Sequence, residues 1–164
     1  MRTELGPRDD WKKPEPEPEL TIRDSIAKLA REQIGVRQTN SNTGPEIDEY
    51  LACSGLDPGY AWCAAMMCWL HSNVDRPYPE GSAWSPNWFP ESRVTEDLEK
   101  GNVFGIYFRN LGRIAHVGMI VEDRDNSVVS VEGNTSDTGG REGDGVYKKY
   151  RSKSQIYKVS NWVE

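Results

Sequence analysis

The sequence predicts an α+β domain in which about three helices precede an antiparallel sheet of about five strands, with the sheet packed on the third helix. Three observations predict it. Up to residue 70 the apolar residues recur with helical spacing; after Gly101 they alternate with the two-residue period of strands. No helical segment separates the later strands, so the crossovers of a parallel sheet have no place in the chain. At 164 residues the length suits a single domain that buries its own core.

Residues 1–20 form a leader in which proline alternates with like-charged glutamate between Pro14 and Glu19, a pattern that excludes helix and favours an extended, polyproline-like chain. The folded domain is residues 21–164. Thr21 and Asp24 have the spacing of a capping box, and Ile22, Ile26, Leu29 and Ala30 then share one helical face until Gly35. A polar turn, Gln38 to Gly44, leads to Pro45 at a first helical position, with Ile47, Tyr50 and Leu51 on one face and Gly55 as the stop. Asp57-Pro58-Gly59 is the next turn. The run from Ala61 to Leu70 is apolar on all sides, which predicts a buried central helix with Cys63 at its start.

Between Asn73 and Glu91 four prolines, Pro77, Pro79, Pro86 and Pro90, exclude regular structure. Tyr78, Trp84, Trp88 and Phe89 therefore sit on a loop or a short helical turn, either lining a groove or pinning the loop to the domain. Strand periodicity follows over 103–108, 114–122, 127–132, 145–151 and 155–163, separated by the Arg109 to Gly112, Asp123 to Asn126 and glycine-rich 139–145 turns.

The formal net charge is −6, and the single basic cluster, Lys148 to Lys153, reads as a solvated strand edge. Nucleic acid and anionic membrane surfaces are thereby disfavoured as partners, because both are bound through clustered Lys and Arg. No apolar run is long enough to span a bilayer, and the N-terminus lacks the basic, apolar and small-residue order of a signal peptide. These features predict cytoplasmic synthesis and a monomer. Three cysteines make no disulfide framework and fit reduced thiols.

A thiol in the first turn of a helix faces unpaired backbone N–H groups and the positive end of the helix dipole, both of which favour the nucleophilic thiolate. Only two histidines could serve Cys63 as a base. His71 stands two turns further along the same helix, roughly 12 Å away along its axis and too far for proton transfer. His116 lies on a strand with Gly118 and Ile120 on its face, and Ala115, Val117, Met119 and Val121 on the other. A three-residue connection to the following strand sets His116 directly opposite Glu132, with Asn134 one diagonal step away; a slip of two residues exchanges them. Either way a carboxylate and an amide stand beside the imidazole, and a histidine base needs its second ring nitrogen held by an acceptor of this kind. Gly118 and Gly133 leave open space around the group.

Ala61-Trp62-Cys63-Ala64-Ala65, Ala115-His116-Val117-Gly118 and Val131-Glu132-Gly133-Asn134 occur in the order Cys, His, Glu or Asn, the order of papain-like thiol hydrolases. In these motifs the chain resembles the CHAP domain, the cysteine- and histidine-dependent amidohydrolase/peptidase of phage endolysins and bacterial cell-wall hydrolases. The segments from Asn42 to Leu51 and from Arg141 to Val146 are similar as well, so the likeness covers roughly residues 24–160. The resemblance implies a papain-like fold and peptidoglycan stem peptides as substrate. It implies Cys63 as nucleophile, His116 as general base and then acid, and Glu132 and Asn134 as the groups that orient the imidazole. The Cys63 backbone N–H is the natural oxyanion donor. Trp62, Trp84, Trp88 and Asn42 are the candidates for substrate contacts. Reaching a cell wall or periplasm then requires release or injection, and an immunity or inhibitor protein is a further candidate partner.

No metal or cofactor is expected. Cys53, Cys63, Cys68 and His71 lack paired zinc-ligand spacing, and Cys63 and Cys68 point about 140° apart on a helix. Some CHAP endolysins carry calcium on an acidic loop, but Asp48, Glu49 and Asp57 do not make such a loop. Two other functions suit the same residues: a thiol protease or deamidase toxin acting on protein, and a module that binds a cell-wall peptide without cleaving it.

Overall fold

Residues 14–137 and 143–164 are described by the structure, a computed structural model. Residues 14–20 are exposed and lie in neither helix nor strand. The rest of the leader, together with Arg141, Glu142 and the start of the glycine-rich loop, lies outside the described residues.

Each helix begins and ends where side-chain chemistry dictates. Helix α1 (Ile22–Glu32) opens on the capping box: the Thr21 hydroxyl accepts from the Asp24 N–H and the Asp24 carboxylate accepts from the Thr21 N–H. It buries Ile26, Ala27 and Ala30, whereas Ile22 is left 38% exposed. Helix α2 (Pro45–Cys53) has proline in its first turn and buries Ile47, Tyr50 and Leu51. It stops at Gly55, whose φ of 72° lets the Gly55 and Leu56 N–H groups bond back to the Ala52 and Leu51 carbonyls. Helix α3 (Cys63–Asn73) starts at Cys63 itself, and eight of its side chains, Cys63 to Cys68, Leu70 and His71, are buried. Burying Met66, Met67 and Leu70 contributes about 1.5–3 kcal/mol each, and with eight buried side chains α3 is the element on which the fold is centred.

Among the described residues the strands β1 (Val94–Thr95), β2 (Val103–Phe108), β3 (Arg113–Asp123), β4 (Ser127–Thr135), β5 (Gly145–Ser152) and β6 (Lys158–Ser160) form one antiparallel sheet in the order β1-β6-β2-β3-β4-β5. The α+β class is as expected. The two-residue β1 adds one strand to the expected set. Alternation sends Val103, Val117, Met119, Val129 and Val131 into the core shared with α3, and Phe104, Ile120, Val128 and Val159 into a second cluster on the opposite face.

Two β-bulges correct the expected register. Ile106 pairs with His116 but Tyr107 with Ile114, leaving Ala115 as an extra residue immediately before His116. Ile120 pairs with Ser130 but Glu122 with Val129, which leaves Val121 as the second. The β3–β4 connection has three residues, Arg124 to Asn126, one position later than expected, and the Arg124 N–H bonds the Ser127 carbonyl across it. Met119 pairs with Val131, two residues off the register expected from a His116–Glu132 pair, and β4 carries a further irregularity between Glu132 and Thr135. The space expected at the two glycines is occupied. A Cβ at Gly118 would lie 2.5 Å from Glu132 Cγ, and one at Gly133 would lie 2.6 Å from the Trp62 ring.

His71, expected at a polar helix end, is instead fully buried against Trp88, with ring centroids 5.2 Å apart. Its Nδ1 lies 2.8 Å from the Met67 carbonyl, which can only accept, so Nδ1 carries the proton and the buried Nε2 is bare, without a partner among the described residues. Burial holds its pKa down, to about 4 from 6.5. The unfolded chain therefore takes up this proton first, and stability that is complete above pH 6.5 falls as pH drops toward 4, by about 3 kcal/mol. The urea midpoint is expected to decline over that window. In His71→Leu the decline should be absent, and an identical decline in the variant would assign it to other groups.

Candidate active site

Cys63 is placed by the helix it begins. The first intrahelical bond of α3 runs from the Met66 N–H to the Trp62 carbonyl, and no side chain caps the turn. The N–H groups of Cys63, Ala64 and Ala65 thus point out of the helix end beside the thiol, along the positive end of its dipole. The thiol is 5% exposed, and its Sγ lies 3.8 Å from the Ser85 hydroxyl. Burial, the largest single influence, pushes the thiol pKa up. The His116 ring, the Val117 N–H and the Ser85 hydroxyl together outweigh it and hold the thiol below its usual value of 9.

His116 is 1% exposed and sits just after the Ala115 bulge. Its Nε2 bonds Glu132 Oε1 at 2.6 Å; its Nδ1, equally buried, has no hydrogen-bond partner among the described residues, and the same ring interacts with the Cys63 thiol. Burial alone would lower the imidazole pKa, but the thiolate of Cys63 and the carboxylate of Glu132 raise it to about 9. The two shifts point the same way: a lowered thiol and a raised imidazole both favour the charged pair of thiolate and imidazolium over the neutral one.

Glu132 holds the ring from the residue just beyond the last β3–β4 pair, Met119 with Val131. With only hydrogen on the Gly118 Cα, the glutamate side chain folds across that position and reaches His116. It is wholly buried and fully satisfied, with Arg151 donating from Nε to Oε2 at 2.9 Å and from a terminal nitrogen to Oε1 at 2.7 Å, and Ser130 Oγ donating to Oε2 at 2.6 Å. Burial raises its pKa; His116 and Arg151 overcome this and bring it to about 2, so the carboxylate is ionised at any working pH.

Of the two expected orienting groups, then, only the carboxylate makes the contact. Asn134 is buried, with φ at 53° in the left-handed region, and its Oδ1 has no partner among the described residues. Three participants were not expected. Ser85 lies in an irregular loop, inside a short 3-10 helix (Ser85–Trp88). Ser130 alternates with Glu132 on one face, a signal that the strand pattern does contain. Arg151 was assigned to a solvated edge. Strand β5 is the sheet edge, but Arg151 lies along it toward Glu132 and is only 12% exposed.

Two expected substrate contacts are corrected. Trp62 and Trp88 are fully buried: Trp62 packs on Tyr50 with ring centroids 5.8 Å apart, and Trp88 donates its indole N–H to the Ser82 carbonyl and stacks edge-on with Trp162. They are core, since a small domain needs large apolar residues to anchor a proline-rich loop. Trp84 is half exposed, with the Arg113 guanidinium 4.1 Å from its ring centroid. Together with Leu56, Tyr60 and Ala61 it lines an apolar groove of about 390 Å³. Ala61 precedes Cys63 by two residues and Trp84 adjoins Ser85, so the groove is walled by residues next in sequence to the site, although Cys63 and His116 do not themselves line it. Asn42 is half-buried at φ 54°; its carbonyl accepts from the Gly59 N–H at 3.0 Å, and it thereby ties the turn before α3 to the Gln38 to Gly44 loop.

Among the described residues no group of three or more His, Cys, Asp or Glu side chains is clustered to hold a metal ion, and no helix is long and apolar enough to cross a membrane. Alkylation reads the site directly. Near pH 7 iodoacetamide is expected to modify Cys63 faster than Cys53, whose thiol burial and the nearby Cys68 push up to about 12. His116→Ala should slow Cys63 roughly tenfold or more by removing the cation that stabilises the thiolate. Equal rates at Cys63 and Cys53 in wild type would mean that the thiolate is not stabilised. Comparison of the chain with protein-family models, with curated proteins and with solved structures gives no match.

Proposed function

We propose that this chain is a CHAP-type, papain-like cysteine amidohydrolase that cleaves an amide bond in the stem peptide of peptidoglycan. The observation that carries the chemistry is the buried line from Cys63 at the α3 start to His116 and on to Glu132, which is what thiol-dependent acyl transfer requires. The substrate class comes from the resemblance of the motifs around these three residues to wall hydrolases.

In this reading the Cys63 thiolate attacks the scissile carbonyl carbon, and the C–S bond forms as the oxygen takes up negative charge. N–H groups at the open end of α3 face that oxygen. The His116 imidazolium gives its proton to the leaving amine, the C–N bond breaks, and a thioester remains. Neutral His116 then takes a proton from water, whose oxygen attacks the thioester; the carboxylic acid product leaves and the thiolate–imidazolium pair is restored. Glu132, pinned by Arg151 and Ser130, holds the ring in one orientation through both half-reactions. The groove walled by Tyr60, Ala61 and Trp84 accommodates the substrate chain.

The decisive experiment is digestion of isolated sacculi of several chemotypes with wild type and Cys63→Ala, followed by mass analysis of soluble fragments. Wild type is expected to release peptide-bearing fragments that the variant does not, at least 10³-fold faster, on the order expected for loss of a covalent nucleophile. Their masses distinguish an amidase from an endopeptidase. Identical profiles from the two proteins on every chemotype would overturn the proposal.

A further inference from the structure

We propose that Cys53 and Cys68 are a disulfide-forming pair which, on meeting a small-molecule disulfide oxidant, joins the end of α2 to the middle of α3 and leaves Cys63 as the single free thiol. The two sulfur atoms lie 2.8 Å apart, inside the van der Waals contact of unbonded sulfurs though longer than the roughly 2.05 Å of a disulfide bond. Cys53 is the last residue of α2 and Cys68 faces it from α3, two helices packed directly on each other.

The third cysteine is kept out of this chemistry by geometry. Cys63 precedes Cys68 by five residues on the same helix, which turns the two side chains about 140° apart, and its sulfur faces Ser85 and His116 instead. An odd number of cysteines thus resolves into one pair and one nucleophile. The loop closed by the pair contains Leu56, Tyr60 and Ala61 of the groove, and Cys63 itself, so the crosslink braces the segment that carries the thiolate.

Cys53 is partly exposed and Cys68 is buried, which sets the order of events. The Cys53 thiolate attacks one sulfur of oxidised glutathione, the glutathione S–S bond breaks, and one glutathione thiolate leaves. The Cys68 thiolate then attacks the Cys53 sulfur and expels the second glutathione. Two protein thiols have lost two protons and two electrons, and one oxidised glutathione has become two reduced ones. Because burial and the neighbouring sulfur hold the Cys53 thiol at about 12, the first attack is slow at neutral pH and quickens as pH rises.

The test is overnight incubation of the full chain with oxidised glutathione at mildly alkaline pH, followed by denaturing alkylation, intact-mass measurement and peptide mapping. The expected result is a loss of two hydrogens, a Cys53–Cys68 linked peptide, one alkylated residue, Cys63, and a melting temperature higher by roughly 5–10 °C than that of the reduced protein. Cys53→Ser, at a partly exposed site that tolerates the change, should show neither the linkage nor the rise. Full alkylation of Cys53 and Cys68 after oxidation, a disulfide that includes Cys63, or an equal rise in Cys53→Ser would each overturn the proposal.

Discussion

Glu132→Gln is expected to reduce the rate of amide hydrolysis by about 10²–10⁴-fold, the range seen when the anionic partner of a catalytic histidine is neutralised. Together with the Cys63 sulfur, the carboxylate, with its pKa near 2, raises the His116 pKa from 6.5 to about 9 against the effect of burial and so supports the cation beside Cys63. With an amide in its place, the imidazole pKa falls and the thiol pKa rises. The Cys63 alkylation profile should shift to higher pH, a readout independent of the choice of substrate.

Stability should change as well. Glu132→Ala leaves the Arg151 guanidinium without its bidentate partner, and breaking a buried pair typically costs about 3–5 kcal/mol. The lower end is expected here, because Arg151 stands on the edge strand and can turn toward water, so the melting temperature should fall by roughly 6–12 °C. Glu132→Gln retains part of the hydrogen bonding and should lose less. A Gln variant with both the wild-type alkylation profile and the wild-type melting temperature would remove Glu132 from the site.

The second large effect is expected at a residue with no side chain. Gly118→Ala introduces a Cβ 2.5 Å from Glu132 Cγ and 2.8 Å from the Phe104 ring, so the glutamate must leave the position from which it reaches His116. Overpacking of this kind costs about 1–3 kcal/mol. The larger consequence is functional: a displacement of about 1 Å in a positioning group can cost about 10²-fold in rate. Hydrolysis and Cys63 alkylation near neutral pH should both fall, with the loss of activity exceeding what partial unfolding explains. Full reactivity in Gly118→Ala would show that the glutamate does not depend on that gap.

How much of the site was legible depends on the kind of information each residue carries. Helix boundaries were, because caps and stops are local: Thr21 with Asp24, Pro45, and Gly55 act on backbone groups within a few residues. The position of Cys63 followed from the apolar run that it opens. Alternation alone put His116 and Glu132 on one face, and that holds. Which of Glu132 and Asn134 reaches the ring was not legible. Ala115 and Val121 look like ordinary members of an alternating strand, and nothing in their chemistry announces that each is left unpaired.

The aromatic residues divide in the same way. Trp62, Trp84 and Trp88 are equivalent by type and all flank the site in sequence, yet two are core and one lines the groove. Their exposure depends on how the 75–91 loop lies over α3, and composition does not encode that path. Arg151 and Ser85 meet Glu132 and Cys63 only because strand order and loop path bring distant segments together.

By itself, then, the sequence determined the α+β class, the helix caps, the start of α3 at Cys63 and the shared face of His116 and Glu132, because periodicity and capping are properties of neighbouring residues. The tertiary structure alone decided the register, the reach of Glu132 over Gly118, its clamp by Arg151 and Ser130, and the burial of Trp62 and Trp88. Those depend on which segments become neighbours in space, and that is settled by packing the whole chain at once.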